Sequence, residues 1–160
     1  MKRNGFTLVE LLVVFAIIAI MAVIMVGILN PTALVNRGID AQMKKDMSRI
    51  RVAFEEYYND KECFPKQTDV DLLMTKSNCD QQVFSPWLPK WICNPDGYPY
   101  KIVVDQSDCP KWYKIMTNLG NKKDIDIPAG WYVGTKSITG GYTNNEVNYG
   151  VSSQNILWNE

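Results

Sequence analysis

A chain of 160 residues has the length of about one domain. Its 46% hydrophobic and 11% aromatic content excludes a disordered chain, and the balance of 17 basic against 17 acidic residues excludes a strongly basic nucleic-acid binder. It contains no histidine, which excludes Ser-His-Asp and Cys-His nucleophilic machinery and every histidine-ligated zinc site.

Charge is unevenly distributed. No charged residue occurs from Leu11 to Asn36, and Leu11 to Leu29 is an unbroken apolar run, LLVVFAIIAIMAVIMVGIL. As a helix rising about 1.5 Å per residue the run would cover roughly 28 Å, the thickness of a bilayer's hydrocarbon core. Lys2 and Arg3 precede it, so the positive-inside tendency puts the N-terminus in the cytoplasm and the chain after Asn30 outside. A cleaved secretory signal is the competing reading of a basic start and an apolar stretch. Against it stand a run longer than the about 7 to 15 residues of a signal core, the lack of a following Ala-x-Ala triplet, and the carboxylate of Glu10 directly before the run. A charge at that depth calls for a partner.

The segment Lys2-Arg3-Asn4-Gly5-Phe6-Thr7-Leu8-Val9-Glu10 resembles the prepilin leader and cleavage site of type IV pilins and type II secretion pseudopilins. The basic leader, the Gly-Phe junction and a Glu four residues beyond the Phe all fall in place. The resemblance implies that a membrane prepilin peptidase cuts between Gly5 and Phe6 on the cytoplasmic side and methylates the new Phe6 amine, so that the apolar segment stays on the mature protein. It also implies that Glu10 neutralises that amine, in its own chain or in a neighbouring subunit, and sets subunit register during assembly. Many family members carry a proline about two-thirds along the apolar helix. Here Gly27 stands near that place and Pro31 follows, and either can bend the helix.

Helical periodicity resumes with Ile39, Met43, Met47, Ile50, Phe54 and Tyr57 on one stripe. Lys44, Lys45, Asp46, Arg49, Arg51, Glu55 and Glu56 occupy the other faces and are expected to be solvated or to meet other subunits. The stretch from Asp40 to Pro65 further resembles the second half of the pilin spine helix and its exit into a globular head.

From Asp60 onward the chain carries most of the prolines and glycines and all four cysteines, which predicts a loop-rich head. Strands are expected at Tyr98 to Val104, Trp112 to Met116 and Trp131 to Thr135, with turns at Asn94-Pro95-Asp96-Gly97 and Gly140-Gly141 and a short helix over Asp69 to Lys76. Cys63, Cys79, Cys93 and Cys109 can pair in three ways. An oxidising extracytoplasmic compartment favours two disulfides, and consecutive pairing, Cys63 with Cys79 and Cys93 with Cys109, closes short loops. The paired C-x2-4-C spacing of a four-cysteine zinc site is missing.

Two weaker signals remain. Lys111-Trp112-Tyr113-Lys114 interleaves basic and aromatic residues, as a single-strand nucleic-acid surface does, but fits a strand with alternating faces better. Asp124 and Asp126 could ligate calcium, which major pseudopilins bind in a C-terminal loop, although no recognisable loop motif accompanies them. No cofactor or metal site is assigned.

The expected architecture is α+β: a leader over 1–5, a transmembrane and assembly helix over 6–30, an amphipathic second half of the spine helix over 31–59, and a head with a small antiparallel sheet over 60–160. The expected function is structural, not enzymatic: a type IV pilus-like subunit for adhesion, motility or DNA uptake. The alternative is a type II secretion pseudopilin that drives protein export. A lone signal-anchored binding domain or an anchored extracytoplasmic enzyme would leave Gly5-Phe6 with Glu10 unexplained. Implied partners are the prepilin peptidase, like or homologous subunits, an inner-membrane assembly platform, and membrane lipid before assembly. The head would be extracytoplasmic, in a periplasmic or cell-surface filament once assembled.

Overall fold

Helix α1 (Leu8–Ile28) takes in the apolar run from Leu11 as far as Ile28 and begins two residues after the start of the expected 6–30 helix. The reason is local, since Thr7 and Glu10 cap its first turn. The computed structural model describes residues 5–28, 31–127, 137–138, 142–143 and 147–154. The chain divides into two compact units, residues 1–36 and 37–160. In the first, every described side chain of α1 is exposed, and Leu8–Met25 is long and apolar enough to cross a membrane. Gly27 lies inside α1, and Pro31 is the first residue of α2 (Pro31–Lys61). Proline is tolerated there because a first-turn amide has no helical acceptor to lose.

The second unit is organised around the later turns of α2. Met43, Met47, Ile50 and Phe54 of the predicted stripe are buried, with Ala53 beside them, while Ile39 and Tyr57 pack half-buried at the margin. Residues 37–61 therefore belong to the same compact unit as the rest of the head. Against this stripe lies a three-stranded antiparallel sheet in the order β1 (Lys101–Val104), β2 (Tyr113–Thr117), β5 (Tyr149–Ser152). Ile102 pairs with Ile115, and Ile115 with Val151. A separate pair joins β3 (Ser137–Ile138) to β4 (Tyr142–Thr143). An aromatic cluster fills the space between helix and sheet, with the Phe54 ring 5.1 Å from Tyr113 and 5.4 Å from Phe84. Each fully buried ring of this kind stabilises the fold by about 1.5–3 kcal/mol.

β1 is one of the two edge strands, and α3 (Gln67–Leu73) packs beside it. The outward N–H of Ile102 donates to Met74 Sδ at 3.2 Å, and that of Val104 to Gln67 Oε1 at 3.5 Å. Side chains thus occupy donors that would otherwise invite pairing with another chain.

Several expectations need correcting. The first strand is shorter than Tyr98 to Val104, because Pro99 has no N–H to give a ladder and takes part only in an isolated bridge with Cys93. The β2 strand shows no alternation of buried and exposed residues: all five are buried. It is the central strand, with Tyr113 and Ile115 in the main core and Met116 packed with Val147 in a smaller cluster on the other face. The expected strand at Trp131 to Thr135 and the turn at Gly140-Gly141 lie outside the described residues. The third strand of the sheet is Tyr149–Ser152. The Asn94 turn is present: Gly97 adopts φ +75° and donates its N–H to the Asn94 carbonyl at 2.8 Å.

The four cysteines are all oxidised, but not consecutively. Cys63 bonds Cys109 and Cys79 bonds Cys93, so the shorter loop is nested inside the longer. Backbone hydrogen bonds explain the pairing. Phe64 N–H reaches the Pro110 carbonyl at 2.8 Å, which sets the exit from α2 beside the approach to β2. Asp80 N–H reaches the Trp91 carbonyl at 2.9 Å, and Trp91 N–H the Gln81 carbonyl at 2.8 Å. Loop length alone carries none of this information.

Candidate functional site

The N-terminal residues singled out in the sequence meet at the first turn of α1. Thr7 is the residue before the helix and Glu10 its third residue, the T-x-x-E spacing of a capping box. The Glu10 carboxylate accepts the Thr7 N–H at 2.9 Å and the Thr7 hydroxyl at 2.8 Å, both on Oε2, while Glu10 N–H donates to Thr7 Oγ1 at 3.3 Å. Leu11 N–H closes the first turn on the Thr7 carbonyl at 3.2 Å. Thr7 is the residue that the sequence reading missed, although its spacing from Glu10 signals it. Glu10 is therefore a carboxylate held in the first turn of α1, five residues after Gly5.

Phe6 is exposed, and Gly5 precedes it in open space. A Cβ built on Gly5 would meet nothing within 4 Å, and its φ lies outside the left-handed region. The fold therefore places no demand for glycine at position 5.

Residues 1–26 match the family model of the prokaryotic N-terminal methylation motif. The chain carries the prepilin-type motif of type IV pilins and pseudopilins. Its α+β architecture, with a long N-terminal apolar helix, a small antiparallel sheet and two disulfides, is pilin-like. Neither the curated proteins nor the solved structures give a significant match to the chain. A prepilin-type motif implies processing by prepilin peptidase and assembly with pilin subunits.

The remaining sequence candidates sit in the head. Asp124 and Asp126, read as calcium-competent carboxylates, both hold the ammonium of Lys44, at 2.5 and 2.6 Å. Among the described residues, no group of three or more acidic or cysteine side chains is placed to hold a metal. The Lys44 contact also corrects the view of α2's charges as simply solvated. Asp46 is 6% exposed, and burial raises its pKa even though Arg49, Gln42 and Lys45 pull it down. Glu55 accepts the Tyr113 hydroxyl at 2.7 Å. In the Lys111-Trp112-Tyr113-Lys114 segment, Tyr113 and Lys114 are fully buried, which removes them from any nucleic-acid surface.

Asp40 was not singled out by sequence. It is 1% exposed, and its two carboxylate oxygens accept the N–H groups of Gly120 and Asn121, each at 2.7 Å. Asn148 brackets the neighbouring Leu119, accepting its N–H at 2.7 Å and donating to its carbonyl at 3.0 Å. Asp40 and Lys44, one turn apart on α2, thus anchor the segment from Gly120 to Asp126.

Proposed function

We propose that this chain is a structural subunit of an extracytoplasmic type IV pilus-like filament, cut after Gly5 by prepilin peptidase, N-methylated on Phe6 and assembled through its N-terminal helix. The observation that carries the reading is α1: a membrane-length apolar helix with every described side chain exposed, opened by a capped Glu10 within a prepilin-type motif. Such a surface needs lipid or other subunits around it. Before assembly α1 would span the membrane, with the leader cytoplasmic and the head outside. On assembly the same surface would pack against other subunits, and the heads would form the outer shell. The work is association, not catalysis.

Intact-mass analysis of protein from native membranes tests processing: loss of residues 1–5 and the added mass of one methyl group on Phe6 are expected. A sheared cell-surface fraction tests the filament. Full-length, unmethylated protein would overturn the reading. Processed protein confined to the periplasmic side, with a defect in protein export on its deletion, would assign the chain to the type II secretion pseudopilins instead.

A further inference from the structure

Ile125 is 95% exposed, more than any other large apolar side chain among the described residues. Exposure alone carries no meaning, but the backbone under this side chain is braced. Its neighbours Asp124 and Asp126 both hold the Lys44 ammonium, and Asp126 N–H donates to Asp124 Oδ1 at 3.0 Å. Asp124 N–H closes a turn on the Asn121 carbonyl at 3.1 Å, and Ile127 N–H closes another on the Asp124 carbonyl at 3.2 Å. Asp40 anchors the start of the same segment. Ile125 is therefore an apolar knob on a preformed turn, and a backbone ordered in advance costs little to immobilise on binding.

A groove of about 380 Å³ lies elsewhere on the head, between the last turns of α2, helix α3 and residues 83–87. Its floor is aromatic: Tyr57 stacks on Phe84 with ring centroids 5.6 Å apart and meets Trp87 edge-on at 4.5 Å. Leu72 and Val83, both exposed, add aliphatic surface. Trp87 donates its indole N–H to Asp60 at 2.6 Å, and the Asn78 amide donates to the Leu72 carbonyl at 2.6 Å, so these donors are satisfied within the head. The rest of the wall is apolar apart from the Tyr57 hydroxyl and the exposed Asp69 carboxylate. Lys123, exposed two residues before the knob, carries the charge opposite to that of Asp69.

We propose that the Ile125 knob of one copy of this chain seats in the Tyr57–Trp87 groove of a second copy, with Lys123 facing Asp69. Lys44, beneath the knob, and Tyr57, in the groove, are thirteen residues apart on α2. That separation is about 20 Å along the helix axis and roughly 140° around it. Knob and groove are thus different surfaces at different heights. A pair joined once leaves one knob and one groove open, and such a heterologous contact repeats along an open assembly. The inference rests on the filament reading above and adds a head-to-head contact to the one made by α1.

The test places p-benzoylphenylalanine at position 72 of the full chain in native cells. After irradiation, membrane and sheared-surface fractions are compared. An adduct of twice the monomer mass, linking position 72 to a peptide spanning 121–127, is expected. Ile125→Asp should lower its yield at least tenfold without lowering the amount of protein in the membrane, because the side chain it replaces is exposed. Asp69→Lys, which sets like charge against Lys123, should lower the yield several-fold, and adding Lys123→Glu should restore it. Absence of the adduct from both fractions, adducts only with other proteins or with other segments, a yield indifferent to Ile125→Asp, or failure of the Lys123→Glu rescue would overturn the contact. The two readings fail separately: the adduct in membranes that yield no filaments would overturn the filament and keep the contact, whereas filaments without the adduct would overturn the contact alone.

Discussion

The Lys44 ammonium donates to the Asp124 carboxylate at 2.5 Å, joining α2 to a segment 80 residues further along the chain. Asp126 takes the same ammonium at 2.6 Å. The hydrogen bond to Lys44 holds the Asp124 pKa below its ordinary 3.8, against the opposing effect of burial. Burial pulls the Lys44 pKa down, but its hydrogen bonds to Asp124 and then Asp126 outweigh it and leave it above 10.5. A depressed carboxylate contributes stability that is present above its unfolded pKa and lost as pH falls through the folded value. A raised lysine contributes stability present below its unfolded pKa and lost as pH rises through the folded value. The clamp should therefore be intact across neutral pH and fail below 3.8 and above 10.5. Lys44→Met should cost about 1–2 kcal/mol at neutral pH and flatten both limbs of the pH profile. Urea melts across the pH range check this, and a profile unchanged by the substitution would contradict it.

Asp40 makes a sharper demand, because its carboxylate is buried and both oxygens are used. Asp40→Ala leaves the N–H groups of Gly120 and Asn121 without acceptors and should destabilise the head by about 2–4 kcal/mol. Asp40→Asn keeps one acceptor oxygen and should cost roughly half as much. Hydrogen exchange resolved by residue should show the loss of protection centred on Gly120 and Asn121. Uniform loss across the head would refute the anchor.

The two disulfides close loops of unequal length, with sequence separations of 46 and 14. On the chain-entropy account the longer loop stabilises by about 4 kcal/mol and the shorter by about 3 kcal/mol. Replacing Cys63 and Cys109 together by serine should therefore lower stability more than replacing Cys79 and Cys93. Non-reducing peptide mapping should recover Cys63 linked to Cys109, and recovery of a Cys63–Cys79 peptide would show the backbone pairing above to be wrong.

What the sequence made legible follows from the range of the interactions. The apolar α1, the amphipathic stripe through Met43, Met47, Ile50 and Phe54, and the Asn94 turn are all set by neighbours a few residues apart, and periodicity reports them. The Cys63–Cys109 pairing, the Asp40 anchor and the Lys44 clamp join groups 46 to 82 positions apart, and nothing local distinguishes Asp40 or Lys44 from any charged residue on a helix face. Tyr149–Ser152 escaped notice because four residues with a glycine among them carry no strand periodicity of their own. It is the ladder offered by β2 that makes them a strand. At the N-terminus Gly5, Phe6 and Glu10 were legible as a motif, whereas Thr7 needed the hydrogen-bond geometry to show that it holds Glu10.

That geometry sets the cap of α1, which Glu10 forms with Thr7, apart from its proposed role as partner of a Phe6 amine freed by cleavage. Glu10→Ala removes both. Thr7→Val removes the capping hydroxyl, retains the carboxylate, and leaves the Thr7-position N–H in place as one donor to it. If capping were the whole role, the two variants should be equally impaired, since each breaks the same reciprocal pair. If Glu10 neutralises a neighbouring subunit's amine, Glu10→Ala should be made, inserted and cleaved but fail to enter filaments unless unaltered subunits are present, because an unpaired charge in a filament core is heavily penalised. Thr7→Val should then assemble at reduced yield, and Thr7→Ser, which keeps the hydroxyl, should assemble normally. The measurement is a membrane fraction beside a sheared-filament fraction from the same cells, with intact mass confirming cleavage in each. Abundant filaments built only of Glu10→Ala subunits would reduce Glu10 to a helix cap, and the charge-pairing mechanism of assembly would have to be given up.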